Sequence, residues 1–237
     1  MRLLVVTAHP HYAGTYTAGT ILNHVSRGDE VYVVSLTHGE LMTNRFTPQE
    51  LKKINLQEAE ASAQVLGVKD LRVLSFPDAG LRLNDDLLIA VNDVIRDIKP
   101  DTILTHFPED THPDLRTTGQ AVIDSCFYAL LVSGHWAAKH PSHWTGRLYA
   151  FEYPELTLNF APDAFVDISE RIETKRQSLR CFQVHIDSNF KGDLETYESC
   201  FLGTNRYWGL ESGVRYAEAY KQVKIHEVHT KAVKYLL

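Results

Sequence analysis

Positive charge is not in excess in this chain. Its 24 Lys and Arg stand against 30 Asp and Glu, a formal net charge of −6. Nothing is available to neutralise a phosphate backbone at large, so no nucleic-acid partner is expected. Cysteine is scarce as well: Cys126, Cys181 and Cys200 are odd in number and widely spaced. That pattern suits reduced thiols in a cytoplasmic protein better than a disulfide framework or a zinc knuckle, and it contains no C-x-x-C. No apolar run approaches the length of a bilayer span, and Met1 leads straight into a strand-like run with no separate signal region, so no membrane partner is expected. Repeats and low-complexity segments are also missing. So are three catalytic signatures. Gly14 and Gly19 have the spacing of a phosphate loop, but its Lys is absent. No G-x-G-x-x-G follows a strand, and there is no G-x-S-x-G elbow. The usual dinucleotide enzymes and serine hydrolases are thereby disfavoured.

What is present is an alternation of strand and helix patterns. Residues 2–8 are apolar and rich in β-branched side chains, as a buried parallel strand requires, and Pro10 ends them. Ala18, Ile21, Leu22 and Val25 fall on one helical face within 15–27. A second strand spans 30–36. Thr47-Pro48-Gln49-Glu50 is a capping box with Pro at the first helical position, opening a helix to Leu66. Strands at 71–76 and 102–105 flank a helix over 85–98, which Asn84 can cap. A further helix is expected over 116–132. Beyond a polar connection at 133–145 the regularity weakens, with strands at 147–153 and 164–168 and helices at 169–182 and 194–208. The pattern predicts a single α/β domain over 1–237 with a Rossmann-like, mostly parallel sheet flanked by helices. Its core covers about 1–132, and an irregular C-terminal elaboration covers about 133–237.

The strand ends collect the chemistry. His9 and His11 follow the first strand, His38 and Glu40 the second, and Asp78 the third. His106, Glu109, Asp110, His112 and Asp114 follow the fourth. In an open parallel sheet these positions share the carboxyl edge, where ligands bind. Bland alternatives exist for most of them. His38 and His106 can be ordinary loop residues, Asp78 can bond its own turn, and Asp114 can cap the next helix. His9 and His112 are harder to dismiss, because each adjoins a Pro directly after a buried strand, a costly place for an idle polar group.

These residues resemble the LmbE-like (PIG-L) family of zinc-dependent N-deacetylases. Ala8-His9-Pro10 and Ala18-Gly19-Thr20 stand where the family has A-H-P-D-D-E and G-G-T. Leu36-Thr37-His38-Gly39-Glu40 is similar to L-T-D-G-E, and His112-Pro113-Asp114 to H-P-D-H. Glu58-Ala59, Leu66-Gly67-Val68, Phe76-Pro77-Asp78 and Tyr216-Ala217-Glu218-Ala219-Tyr220 also match. The resemblance implies an LmbE-like fold and hydrolysis of an amide on a small N-acylated amino sugar or related conjugate. It makes His9 a zinc ligand and His112 the residue that assists the oxyanion or leaving amine, with Asp114 its neighbour.

The departures fall on the site. His11 holds the position of the family's general base. Tyr12 and Leu115 replace two of its three zinc ligands, Ala13 replaces the Glu, and Asn55 lies near the place of a family Arg. Three readings follow. One is a deacetylase with a rebuilt zinc site of His9, His11 and His112, using His11, His112 and Asp114 in catalysis and Asp78, Glu40 and His38 in substrate binding. The second is a metal-free enzyme, such as a hydratase, using His acid–base chemistry. The third is a non-catalytic ligand-binding relative that has lost zinc. Homo-oligomerisation is left open.

Overall fold

The computed structural model describes residues 1–132, 136, 139–143 and 145–224. Among them a seven-stranded sheet has the order β3-β2-β1-β4-β5-β7-β6. It is built from β1 (Arg2–Thr7), β2 (Glu30–Thr37), β3 (Asp70–Phe76), β4 (Thr102–His106), β5 (Arg147–Phe151), β6 (Ala164–Asp167) and β7 (Ala217–Val223). β3, β2, β1, β4 and β5 pair in parallel, and β7 pairs antiparallel with both β5 and β6. The expected mostly parallel α/β sheet is therefore the fold. Period-two alternation decides which core each β1 side chain enters. Leu4 and Val6 join one apolar cluster, with α4 (Asp85–Ile98) and α5 (Pro113–Tyr128); Leu3 and Val5 join the other, with α2 (Ala18–Ser26).

The other helices are α1 (Tyr12–Tyr16), α3 (Pro48–Leu66), α6 (Ile172–Leu179), α7 (Gln183–Asn189) and α8 (Leu194–Ser212). Several bounds differ from the sequence reading. The helix expected over 15–27 is two helices, broken at Thr17. α5 begins earlier, because the His112 side chain itself caps it by accepting the Asp114 N–H. The stretch 169–182 divides into a 3-10 turn (Ser169–Arg171) and α6. Neither α7 nor β7 was visible in the sequence pattern. The connection expected over 133–145 lies partly outside the described residues. The capping box at Thr47 forms as expected, with Glu50 reaching back to the Thr47 N–H. No helix among the described residues is long and apolar enough to cross a membrane.

Glu58 ties α3 to α7 by accepting the Val184 N–H at 2.9 Å. Burial pushes its carboxyl up to about 7, and the nearby Asp187 adds to the effect. The folded value lies above the unfolded one, so stability is greatest below the unfolded pKa and falls as pH rises through 7. Glu58→Gln keeps the acceptor and removes the charge. It should gain about 1 kcal/mol at pH 8, given the carboxylate's partial exposure, and almost nothing at pH 4. Urea melts of both proteins at the two pH values check this; an equal effect at both would refute it.

Candidate active site

The strand order reverses direction at β1. Successive strands run outward from β1 through β2 to β3, and the chain then returns to place β4 on the other side of β1. Such a switch point opens a crevice beyond the carboxyl ends of the two strands. The loops after β1 and β4 flank it. The first is pinned from three directions. The Ala8 carbonyl accepts the Thr37 hydroxyl at 2.9 Å, the Ala8 N–H donates to His106 Nε2 at 3.1 Å, and the Thr7 hydroxyl donates to the His9 carbonyl at 3.0 Å. His106, the last residue of β4, is thus a buried structural acceptor and not the loop residue it could have been from the sequence.

A cavity of about 290 Å³ occupies this crevice, and His9, His11, Tyr12, Asp78 and His112 all line it. His9 Nε2 lies 2.9 Å from Asp78 Oδ1 and 3.4 Å from Asp114 Oδ2. Burial alone would lower the His9 pKa, but bonds and charge from Asp114 and Asp78 outweigh it and hold the value at about 9. Asp114 is wholly buried and accepts the N–H groups of Ala79 (2.7 Å) and Leu81 (3.2 Å), so it fixes the loop after β3. Asp78 accepts the Leu41 N–H at 2.8 Å and so holds the loop after β2. One proton-bearing imidazole and two carboxylates thereby join three loops.

His112 stands 5.4 Å from His9, ring to ring. Its Nδ1 accepts the Asp114 N–H at 3.2 Å, so in the neutral ring the proton sits on Nε2. Burial and the neighbouring His9 charge lower its pKa, against the pull of Asp114 and Asp110, and keep it neutral near pH 7. His11 is lowered much further, by burial and then by His185 and His9. His185, which the sequence reading missed, stacks on His11 at 4.6 Å. It belongs to α7, in a stretch with no strand end or motif to flag it.

The other candidates lie elsewhere. His38 and Glu40 do not line the cavity. His38 Nε2 faces Ser75 Oγ at 3.3 Å, and Glu40 lies 3.3 Å from Lys52 Nζ. Asn55 donates to the carbonyls of His38 and Gly39, each at 2.9 Å, and so holds the β2 loop.

The family's zinc arrangement does not fit these residues. Leu115 is 0% exposed and belongs to the apolar core, and burial drives the Tyr12 phenol well above its usual pKa, keeping it neutral. A different donor set does fit a divalent ion. His9, Asp78 and Asp114 each offer one ligand atom, and these atoms lie within 4.8 Å of one another. His11 and His112 stand outside that group.

Fold and crevice together define an α/β protein whose imidazoles and carboxylates meet at a switch point. The chain belongs to the PIG-L family, whose profile, described as GlcNAc-PI de-N-acetylase, matches residues 4–126. It is 29% identical to a diacetylchitobiose deacetylase of Thermococcus kodakarensis over 94% of this chain and 83% of that one. It is 27% identical to a 4-oxalmesaconate hydratase of Pseudomonas putida over 75% of this chain and 71% of that one. The fold is that of N,N'-diacetylchitobiose deacetylase from Pyrococcus horikoshii, with a TM-score of 0.82 at 24% identity, covering 94% of this chain and 83% of that one.

Proposed function

We propose that this chain is a cytoplasmic amide hydrolase that removes the acyl group from a small N-acylated amino sugar in the crevice between β1 and β4. The carrying observation is His112, which lines the cavity with its Nδ1 committed to the backbone. Its Nε2–H is left to donate to the oxygen of a substrate carbonyl as negative charge develops there. Asp114 is the positioning residue: its N–H fixes the His112 ring, and its carboxylate fixes His9. His11 lines the same cavity as a neutral imidazole able to take a proton from water, though its depressed basicity makes a slow base. The His9, Asp78 and Asp114 group would hold a divalent ion such as zinc. When bound, that ion would polarise the carbonyl and acidify water. The three free cysteines support the cytoplasmic reading.

Acetate release from N-acetylglucosamine derivatives, measured with elemental metal analysis, tests this. His112→Ala should lower kcat/KM by about 10²-fold or more, as loss of an oxyanion donor does. Chelation should remove both metal and activity. Release unaffected by His112→Ala would sink the proposal. One observation favours a second reading, a metal-free proton-transfer enzyme such as a hydratase: the 2.9 Å contact of His9 with Asp78 is already a good hydrogen bond. Turnover that survives chelation with no metal present would select it.

A further inference from the structure

The loop after β4 carries a buried carboxylate that the proposed chemistry leaves unused. Asp110 is 4% exposed, and both of its oxygens are engaged. Oδ1 accepts the His112 N–H at 2.7 Å, and Oδ2 accepts the Thr157 hydroxyl at 2.8 Å. The first bond alone is an ordinary Asx turn ahead of a helix. The second comes from 47 positions away, from the strap over 153–159 that follows β5.

The strap lies antiparallel to the β4 loop. Asp110 and Thr157 pair as an isolated bridge, the Thr111 N–H donates to the Leu156 carbonyl at 3.0 Å, and the Leu158 N–H donates to the Glu109 carbonyl at 2.8 Å. Two strap residues, Tyr153 and Leu156, line the crevice together with His112. The Thr157 hydroxyl also accepts the Tyr153 N–H at 2.8 Å and so closes the turn that presents both.

The flanking backbone bonds are enough to keep the strap on the loop. They supply no link to His112, and the chain from Thr157 through Asp110 does. His112 caps α5 with its own ring, so the place of its backbone nitrogen fixes the point from which that ring is aimed. An ionised acceptor makes short, strong hydrogen bonds, and a bond left unmade in a buried place is costly, so the connection is stiff. Stiffness matters at such a donor, because a misplacement of about 1 Å can cost about 10²-fold in rate.

We propose that Asp110 and Thr157 are positioning residues that latch the strap to His112, so that a ligand seated against Tyr153 and Leu156 also sets the aim of the His112 Nε2–H. The role of His112 rests on the deacetylase reading; the latch rests on these bonds.

Thr157→Val removes the hydroxyl, keeps the shape and leaves the strap's backbone bonds in place. With N-acetylglucosamine as substrate, it should lower kcat about tenfold or more while KM stays within about twofold, and Thr157→Ser should restore the rate. Asp110→Asn should give a smaller loss, since the amide rebuilds the link only if the Thr157 hydroxyl turns from donor to acceptor. Thr111→Val is the control. It deletes the 3.2 Å bond from the Thr111 hydroxyl to the Leu156 carbonyl, outside the latch, and should leave kcat within about twofold. In a His112→Ala background Thr157→Val should lower kcat no further. Amide hydrogen exchange followed by NMR reads the latch without turnover: Thr157→Val should speed exchange at the His112 N–H about fivefold or more and leave the β1 amides unchanged. Unchanged exchange at His112, an unchanged kcat in Thr157→Val, an equal loss in Thr111→Val, or losses that add in the His112→Ala background would each overturn the latch. Faster exchange in Thr157→Val, with no acetate released by the wild-type chain, would keep the latch and refute the deacetylase reading. Acetate release that His112→Ala abolishes and Thr157→Val leaves untouched would do the reverse.

Discussion

Replacing Lys175 by Met should cost about 3–5 kcal/mol, the loss expected when one partner of a buried ion pair is removed. Lys175 and Glu218 are each about 1% exposed at the side chain and lie 2.7 Å apart. The Glu218 carboxylate also accepts the N–H groups of Gly19 (2.9 Å) and Thr20 (2.8 Å), and the Tyr220 hydroxyl stands 3.0 Å away. The reason for this arrangement is local. Thr17 precedes α2 without capping it through its side chain, so two helix N–H groups would otherwise be orphaned in the interior. Glu218 reaches across from β7 to cap them, and the helix dipole favours its charge. Lys175 then balances the buried carboxylate. Without the Lys, the carboxylate stays buried with its hydrogen bonds and no counter-charge. For a chain of this length the loss corresponds to a fall in Tm of roughly 10 °C. Lys175→Met combined with Glu218→Gln should recover part of it, because the charge is gone and the amide oxygen still accepts from one of the two N–H groups, while the other is left facing the amide NH2. Denaturant melts of the two single variants and the double variant decide the matter; a Lys175→Met effect below 1 kcal/mol would refute it.

The same network shows what the sequence conveys and what it conceals. Tyr216 to Tyr220 was legible as a motif, but no periodicity marked β7, because the strand carries a buried Glu between alanines instead of an apolar alternation. Its role depends on contacts about 200 positions away, which no local pattern encodes. The parallel half of the sheet was legible for the opposite reason. β1, β2 and β4 are buried on both faces, so their apolar runs announce them, and Pro, Gly and cap residues mark where they stop. His9, His11, Asp78 and His112 were found as a group because topology alone brings strand ends together. Which of them touch was not legible. The 2.9 Å contact of His9 with Asp78 depends on how the β3 loop is folded onto Asp114. His185 was invisible, since α7 is short and its contact with His11 crosses from the C-terminal part of the chain to the first loop.

Removing His9 should be as costly as removing Lys175, and it should also separate the proton from the metal as occupant of the site. His9→Ala leaves Asp78 and Asp114 facing a common void, with Asp114 wholly buried and held by two backbone N–H groups. In chelator at pH 7 a loss of about 3–5 kcal/mol is expected, as for any uncompensated buried charge. His9→Ala with Asp78→Asn should restore a large part of it, whereas two independent defects would simply add. The wild-type chain carries a proton on His9 up to about pH 9. A divalent ion must displace that proton to reach Nε2, so apparent zinc affinity should rise about tenfold per pH unit between the unfolded His pKa and pH 9. At a free concentration 100 times the dissociation constant, zinc should stabilise the wild-type chain by about 2.7 kcal/mol. His9→Ala should show no such gain. Thermal melts with and without zinc at pH 6, 7 and 8 read both effects. A zinc-induced gain that persists in His9→Ala would place the ion elsewhere, and a wild-type affinity flat with pH would show that His9 is not the group it displaces a proton from.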